Sequence, residues 1–120
     1  MRLLRFSLPA FYAVALALGL STGCGWGVAS ISDQGLLARM GASDPPLVLD
    51  VRSPKEYAAG HISGAVNLPY DQVEDRVDEL GTSRDRQVVV YCEHGPRAFR
   101  ALGALEDAGF RDLRHLEGDM

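Results

Sequence analysis

Two short apolar runs, residues 47–50 (LVLD) and 87–91 (QVVVY), are bounded by polar or turn-forming neighbours, as buried parallel strands are. QVVVY is the strongest strand signal in the chain, and weaker ones lie at residues 28–31, 65–68 and 112–116. Between them the apolar positions recur at helical spacing. Ser32 and Asp33 cap a helix running to Met40, with Leu36, Leu37 and Met40 on one face, and the glycine and prolines of residues 41–46 break it. Ser53 caps a second helix, with Pro54 at its first position and Gly60 at its end. A third covers residues 71–80, burying Val73, Val77 and Leu80, and a fourth covers residues 97–108 and stops at Gly109. This alternation predicts an α/β domain built on a parallel sheet of about five strands, with helices on both faces. In such sheets chemistry belongs at the carboxyl ends of the strands.

The first residues obey a different pattern. Arg2 and Arg5 precede the almost wholly apolar residues 8–20 (LPAFYAVALALGL), which end in Ser21-Thr22-Gly23-Cys24. A positive start, an apolar core and small residues before a cut describe a secretory signal at residues 1–23. The apolar run is shorter than the roughly 18 residues of a spanning helix. No charge occurs between Arg5 and Asp33, so the alternative is an uncleaved anchor. Either way the rest of the chain is expected to be exported to the periplasm or cell envelope. Residues 24–27 read as a tether and residues 28–120 as the folded domain. Without Arg2 and Arg5, ten Lys and Arg residues face sixteen acids, a charge near −6. That balance argues against nucleic acid as a partner. Two cysteines are too few for a disulfide scaffold or a cysteine-based zinc site.

Cys92 ends the QVVVY run and is followed by Glu93, His94, Gly95, Pro96, Arg97 and Ala98. A strand, a short turn and a helix beginning near Arg97 make a cradle whose backbone N–H groups point inward. The helix N-terminus adds partial positive charge and Arg97 adds a full one. All three favour a thiolate over a thiol, which makes Cys92 the candidate nucleophile. Gly95 permits backbone angles that a side chain forbids, and Pro96 stiffens the approach to the helix. The histidines His61, His94 and His115 lack metal-ligand spacing, so no metal site is expected.

These residues resemble the rhodanese family of sulfurtransferases, whose active loop reads Cys-x-x-Gly-x-Arg. A second stretch agrees: Asp50-Val51-Arg52 before a helix, then Gly60-His61-Ile62-Ser63-Gly64-Ala65, resembles the family's amino-terminal signature. Leu-Ser-Thr-Gly-Cys at residues 20–24 in turn resembles a bacterial lipoprotein cleavage box, which implies a lipid on Cys24 and attachment to a membrane. The rhodanese resemblance implies that Cys92 takes the outer sulfur of a small donor such as thiosulfate. The persulfide then passes that sulfur to cyanide or a thiol. The cradle of residues 93–98 would hold the terminal sulfur as an oxyanion hole holds an oxygen. Arg97 either orients the anionic donor or is committed to a structural carboxylate, and the His94 ring faces either substrate or solvent. Asp50, Arg52, Glu56, His61 and Gly64 are read as support: an Asp–Arg–Glu pairing ties strand to helix, and His61 bonds a nearby backbone group. No cofactor is implied.

Related phosphatases and arsenate reductases carry five residues between Cys and Arg. Here there are four, and the smaller cradle suits one sulfur atom better than a phosphoryl group. A non-catalytic binding or sulfur-carrier module is the other alternative. Two departures from the family stand out. Glu93 puts a negative charge beside the nucleophile, which should weaken binding of a doubly anionic donor. The family's Leu-x-Gly-Gly segment and final helix are replaced by Leu116-Glu117-Gly118-Asp119-Met120. With that helix missing, one sheet face is expected to expose apolar surface or to be covered by a protein partner.

Overall fold

The computed structural model describes residues 28–120. The expected signal segment, the tether and Cys24 lie outside the described residues. The described chain runs β1 (Ser30–Ile31), α1 (Asp33–Met40), β2 (Leu47–Asp50), α2 (Pro54–Ala59), β3 (Val66–Asn67), α3 (Val73–Arg76), a 3₁₀ turn (Val77–Leu80), β4 (Val88–Tyr91), α4 (Pro96–Asp107) and β5 (Leu113–Leu116). All pairings in the sheet are parallel, in the order β1-β5-β4-β2-β3. Leu47 pairs with Val88 and Asp50 with Tyr91, so β2 and β4 end level with one another. That shared edge carries the chemistry. No helix among the described residues is long and apolar enough to cross a membrane.

Strand alternation divides the core. Leu47, Leu49, Val51, Val88, Val90 and Cys92 face α3 and α4, packing on Val73, Ala98, Ala101, Leu102 and Leu105. Val48, Val89 and Tyr91 face the other way, onto Leu36 of α1, Tyr57 of α2 and Ala65. β2 and β4 are buried on both faces, which is why their sequences read as continuous apolar runs.

The helix starts follow local chemistry. Ser32 Oγ accepts from the Gly35 N–H. Ser53 and Glu56 form a reciprocal capping box, Ser53 Oγ accepting from the Glu56 N–H and Glu56 Oε1 from the Ser53 N–H. Two expectations need correction. Leu37 is 70% exposed, because it lies one position round from buried Leu36, about 100° away on the helix. The helix expected over residues 71–80 begins at Val73 and tightens into the 3₁₀ turn. A turn closed by the Gln72 N–H on the Pro69 carbonyl occupies its first residues. Val73 is fully buried, and Val77 and Leu80 pack against the same core. Strands at the sheet margin, where pairing is one-sided, are shorter than their apolar patterns.

Candidate active site

Cys92 follows β4 directly, with its side chain at the floor of a turn that leads into α4. The Gly95 N–H donates to Cys92 Sγ at 2.9 Å. Gly95 can aim its N–H there because its φ is +109°, a left-handed conformation costly for any residue with a Cβ. Pro96 then opens α4 in the one place where a missing N–H costs nothing, which also means that it adds no donor to the cradle expected over residues 93–98. Ala98 is buried under the loop in the same core as Cys92. The sulfur thus meets a fixed N–H donor at the N-terminus of a three-turn helix.

The thiol itself is fully covered. The next two residues stand at the surface: the Glu93 and His94 side chains are 45% and 80% exposed and pair at 2.9 Å. The His94 ring therefore faces solvent, and the Glu93 carboxylate is shared with it at the rim.

Arg97 is committed to a carboxylate. Its Nη1 and Nη2 donate to Glu56 Oε1 and Oε2 at 2.8 and 3.1 Å, a two-pronged pair that joins α4 to α2. The Arg97 bond, followed by the Ser53 N–H and hydroxyl, holds the Glu56 carboxyl well below the usual carboxylate range. Glu56, with smaller contributions from the charges of Cys92 and Glu93, pushes the Arg97 guanidinium up. The expected Asp–Arg–Glu pairing is therefore corrected: Asp50 binds Arg52, while Glu56 belongs to Arg97. The capping box explains this, because it turns Glu56 back along α2 toward the loop.

Asp50 is buried at the end of β2 and accepts from the Arg52 N–H, Nε and Nη2, and from the Tyr91 hydroxyl at 2.9 Å. Arg52 also donates to the Gly60 carbonyl at 2.7 Å, and the Asp50 bond pushes its guanidinium up. This network ties the carboxyl ends of β2 and β4 to the end of α2, with Tyr91 on the sheet face opposite Cys92. His61 stacks on Tyr57 with ring centroids 3.6 Å apart, and its Nδ1 lies 2.8 Å from the Tyr57 carbonyl. Gly64 turns the chain into β3 with φ +85°.

One pair of residues at the loop was not anticipated. Asp119 accepts from the Cys92 N–H at 3.0 Å, and His115 Nε2 lies 2.9 Å from the same carboxylate. The signal for it was the acid at the second position of Gly118-Asp119, read in the sequence only as a departure. Elsewhere, a cavity of about 440 Å³ lined by Arg39, Asp44, Arg86, Gln87 and Asp112 lies at the opposite, amino-terminal end of the strands.

Residues 32–120 match the Rhodanese-like domain family. The chain is 33% identical over 91 residues to a sulfurtransferase of Allochromatium vinosum, covering 76% of this chain and 83% of that protein. It superposes on a rhodanese-like domain protein from Staphylococcus aureus with TM-score 0.68 and 28% identity, covering 78% of this chain and 88% of the other. It also superposes on a thiosulfate sulfurtransferase from Pseudomonas aeruginosa with TM-score 0.71 and 28% identity, covering 77% of this chain but only 18% of that protein.

Proposed function

The chain belongs to the rhodanese-like domain family of sulfurtransferases, and on that footing we propose that it moves sulfane sulfur through a persulfide on Cys92. The Cys92 thiolate attacks the outer sulfur of a donor such as thiosulfate. The donor's S–S bond breaks and sulfite leaves with its electron pair. An acceptor nucleophile, cyanide or a thiolate, then attacks the terminal sulfur and leaves as thiocyanate or a new persulfide, restoring the Cys92 thiolate. No net oxidant is needed.

The observation that carries this reading is the Gly95 N–H aimed at Cys92 Sγ from the start of α4. A fixed donor of this kind, together with the helix N-terminus, would steady the negative charge carried by the persulfide. Arg97 contributes its charge from a distance while holding the loop to α2 through Glu56. Because Cys92 is fully covered, a donor reaches its sulfur only when the surrounding loop opens. The same burial favours a second reading, a non-catalytic binding module.

Intact mass after incubation with thiosulfate separates the two. Gain of one sulfur atom that is lost on adding cyanide and absent in Cys92→Ser supports transfer, and no gain supports the binding module. We place the domain at a membrane surface through acylated Cys24, a reading supported by the residues before it. Palmitate labelling that survives in Cys24→Ala would overturn it.

A further inference from the structure

We propose that Asp119, braced by His115, is a positioning residue for Cys92: its oxygen holds the Cys92 peptide and its charge restrains the thiolate. The inference rests on the sulfur-transfer reading only for its consequence in turnover. The geometry stands by itself. The turn after β5 grips Cys92 from both sides, with Asp119 Oδ1 accepting from the Cys92 N–H and the Met120 N–H donating to the Cys92 carbonyl, each at 3.0 Å. The carboxylate also flanks the rest of the loop, since a Cβ on Gly95 would stand 3.5 Å from Asp119 Oδ2. Gly95 is the residue whose N–H meets Sγ. One carboxylate therefore contacts Cys92 directly and lies beside the group that solvates its sulfur.

Asp119 is built into place. Its side chain is 7% exposed and its φ is +50°, a left-handed conformation that glycine adopts freely and aspartate tolerates at some cost. A glycine there would make the same turn without supplying a carboxylate. His115 on β5 faces both carboxylate oxygens with Nε2, at 2.9 and 3.1 Å, so that nitrogen carries the proton and donates. Phe99 of α4 leans on the imidazole at 4.5 Å between ring centroids. The chain β5, His115, Asp119, Cys92 thus joins a sheet strand to the nucleophile.

The two effects of Asp119 oppose one another. The Cys92 nitrogen is three bonds from Sγ, which puts the carboxylate within about 7 Å of the sulfur. A negative charge that close, in a partly shielded setting, disfavours the thiolate by on the order of tenfold. The oxygen acting as acceptor keeps the loop closed around Sγ and favours the thiolate. His115 spreads the charge and so softens the first effect.

Asp119→Asn retains an acceptor oxygen and removes the charge, whereas Asp119→Ala removes both. The readout is the rate of iodoacetamide alkylation at neutral pH divided by its plateau at high pH, followed on the Cys92 peptide of the full chain. This ratio follows the thiolate fraction, cancels changes in access to the covered sulfur and needs no sulfur donor. The expected result is an Asn variant about three- to tenfold above wild type and an Ala variant at least about threefold below the Asn variant. His115→Ala, which leaves the charge unshared, should be about threefold below wild type, and it carries the test if Asp119→Asn does not fold. An Asn variant within twofold of wild type, an Ala variant equal to it, or an unchanged His115→Ala ratio overturns the inference. Failure of Cys92 to take up sulfur while these ratios shift as expected overturns the proposed activity and leaves the inference intact.

Discussion

Replacing Tyr91 by phenylalanine removes a single oxygen from the buried sheet face opposite Cys92 and keeps the ring that packs on Val48 and Val89. That hydroxyl donates to Asp50 Oδ2 at 2.9 Å and accepts from the Ile62 N–H at 3.1 Å. A bond to an ionised group contributes about 1.5–3 kcal/mol, and an orphaned N–H in a half-buried segment costs about 1 kcal/mol more. The expected loss is therefore about 2–4 kcal/mol at neutral pH. The hydroxyl also makes the stability depend on pH. Burial, opposed next by the Ile62 N–H and then aided by the hydrogen bond and charge of Asp50, pushes the Tyr91 phenol up to about 12 from 10.0, with Arg52 lowering it least. A rise of two units corresponds to about 2.7 kcal/mol. Because the folded state holds this proton more tightly, the contribution is complete below pH 10 and is lost as pH rises toward 12. Urea unfolding at pH 7 should show the Tyr91→Phe midpoint lowered by about 2–4 M, for a slope near 1 kcal/mol per molar. Repeating it between about pH 9 and 11.5 should show the gap narrowing as wild type alone weakens. A neutral-pH loss below about 1 kcal/mol, or a gap that stays constant with pH, would refute the argument.

Three further outcomes are expected. Glu56→Gln should lower the thermal midpoint at neutral pH and flatten its acid limb: the Arg97-held carboxylate contributes above its ordinary value of 4.5 and loses that contribution only as pH falls through its lowered one. Melting curves from pH 7 down to about pH 2 check the sign. Glu93→Gln should change the Michaelis constant for thiosulfate by less than about threefold, because the carboxylate is shared with exposed His94 and screened by solvent and salt. A tenfold fall would show that it points into the mouth. Leu36→Ala should cost about 2–4 kcal/mol by urea unfolding and Leu37→Ser within about 0.5 kcal/mol, since the first is buried and the second exposed. Equal costs would put α1 in a different rotation.

The elements that could be read from the chain are those whose signals are local. Ser53, Pro54 and Glu56 start α2 through bonds spanning three residues, and these form wherever that stretch becomes helical. β2 and β4 are apolar at every position because both their faces are buried. Cys92, Gly95 and Arg97 stand at spacings that a strand–turn–helix loop requires, which is why that loop could be placed in advance. Leu37 was misplaced because an apolar residue beside the buried stripe carries the same letter as one within it. The short helix at residues 73–76 was overextended because a turn at Pro69 consumed residues that have no helix-breaking chemistry of their own.

What the sequence by itself determined, then, is the order of strands and helices, the strand end on which the thiol sits and the residue types around it. All of these follow from backbone periodicity and from hydrogen bonds between near neighbours. The tertiary structure decided which charges pair. Glu56 meets Arg97 across 41 residues and Tyr91 meets Asp50 across another 41, while Asp119 reaches Cys92 from 27 residues away. No local pattern distinguishes these partners from other acids and arginines, because each contact exists only once the parallel sheet has brought the carboxyl ends of β2, β4 and β5 to one edge. The burial of Cys92 has the same origin, since it depends on where α4 packs over the sheet and not on the six letters of the loop.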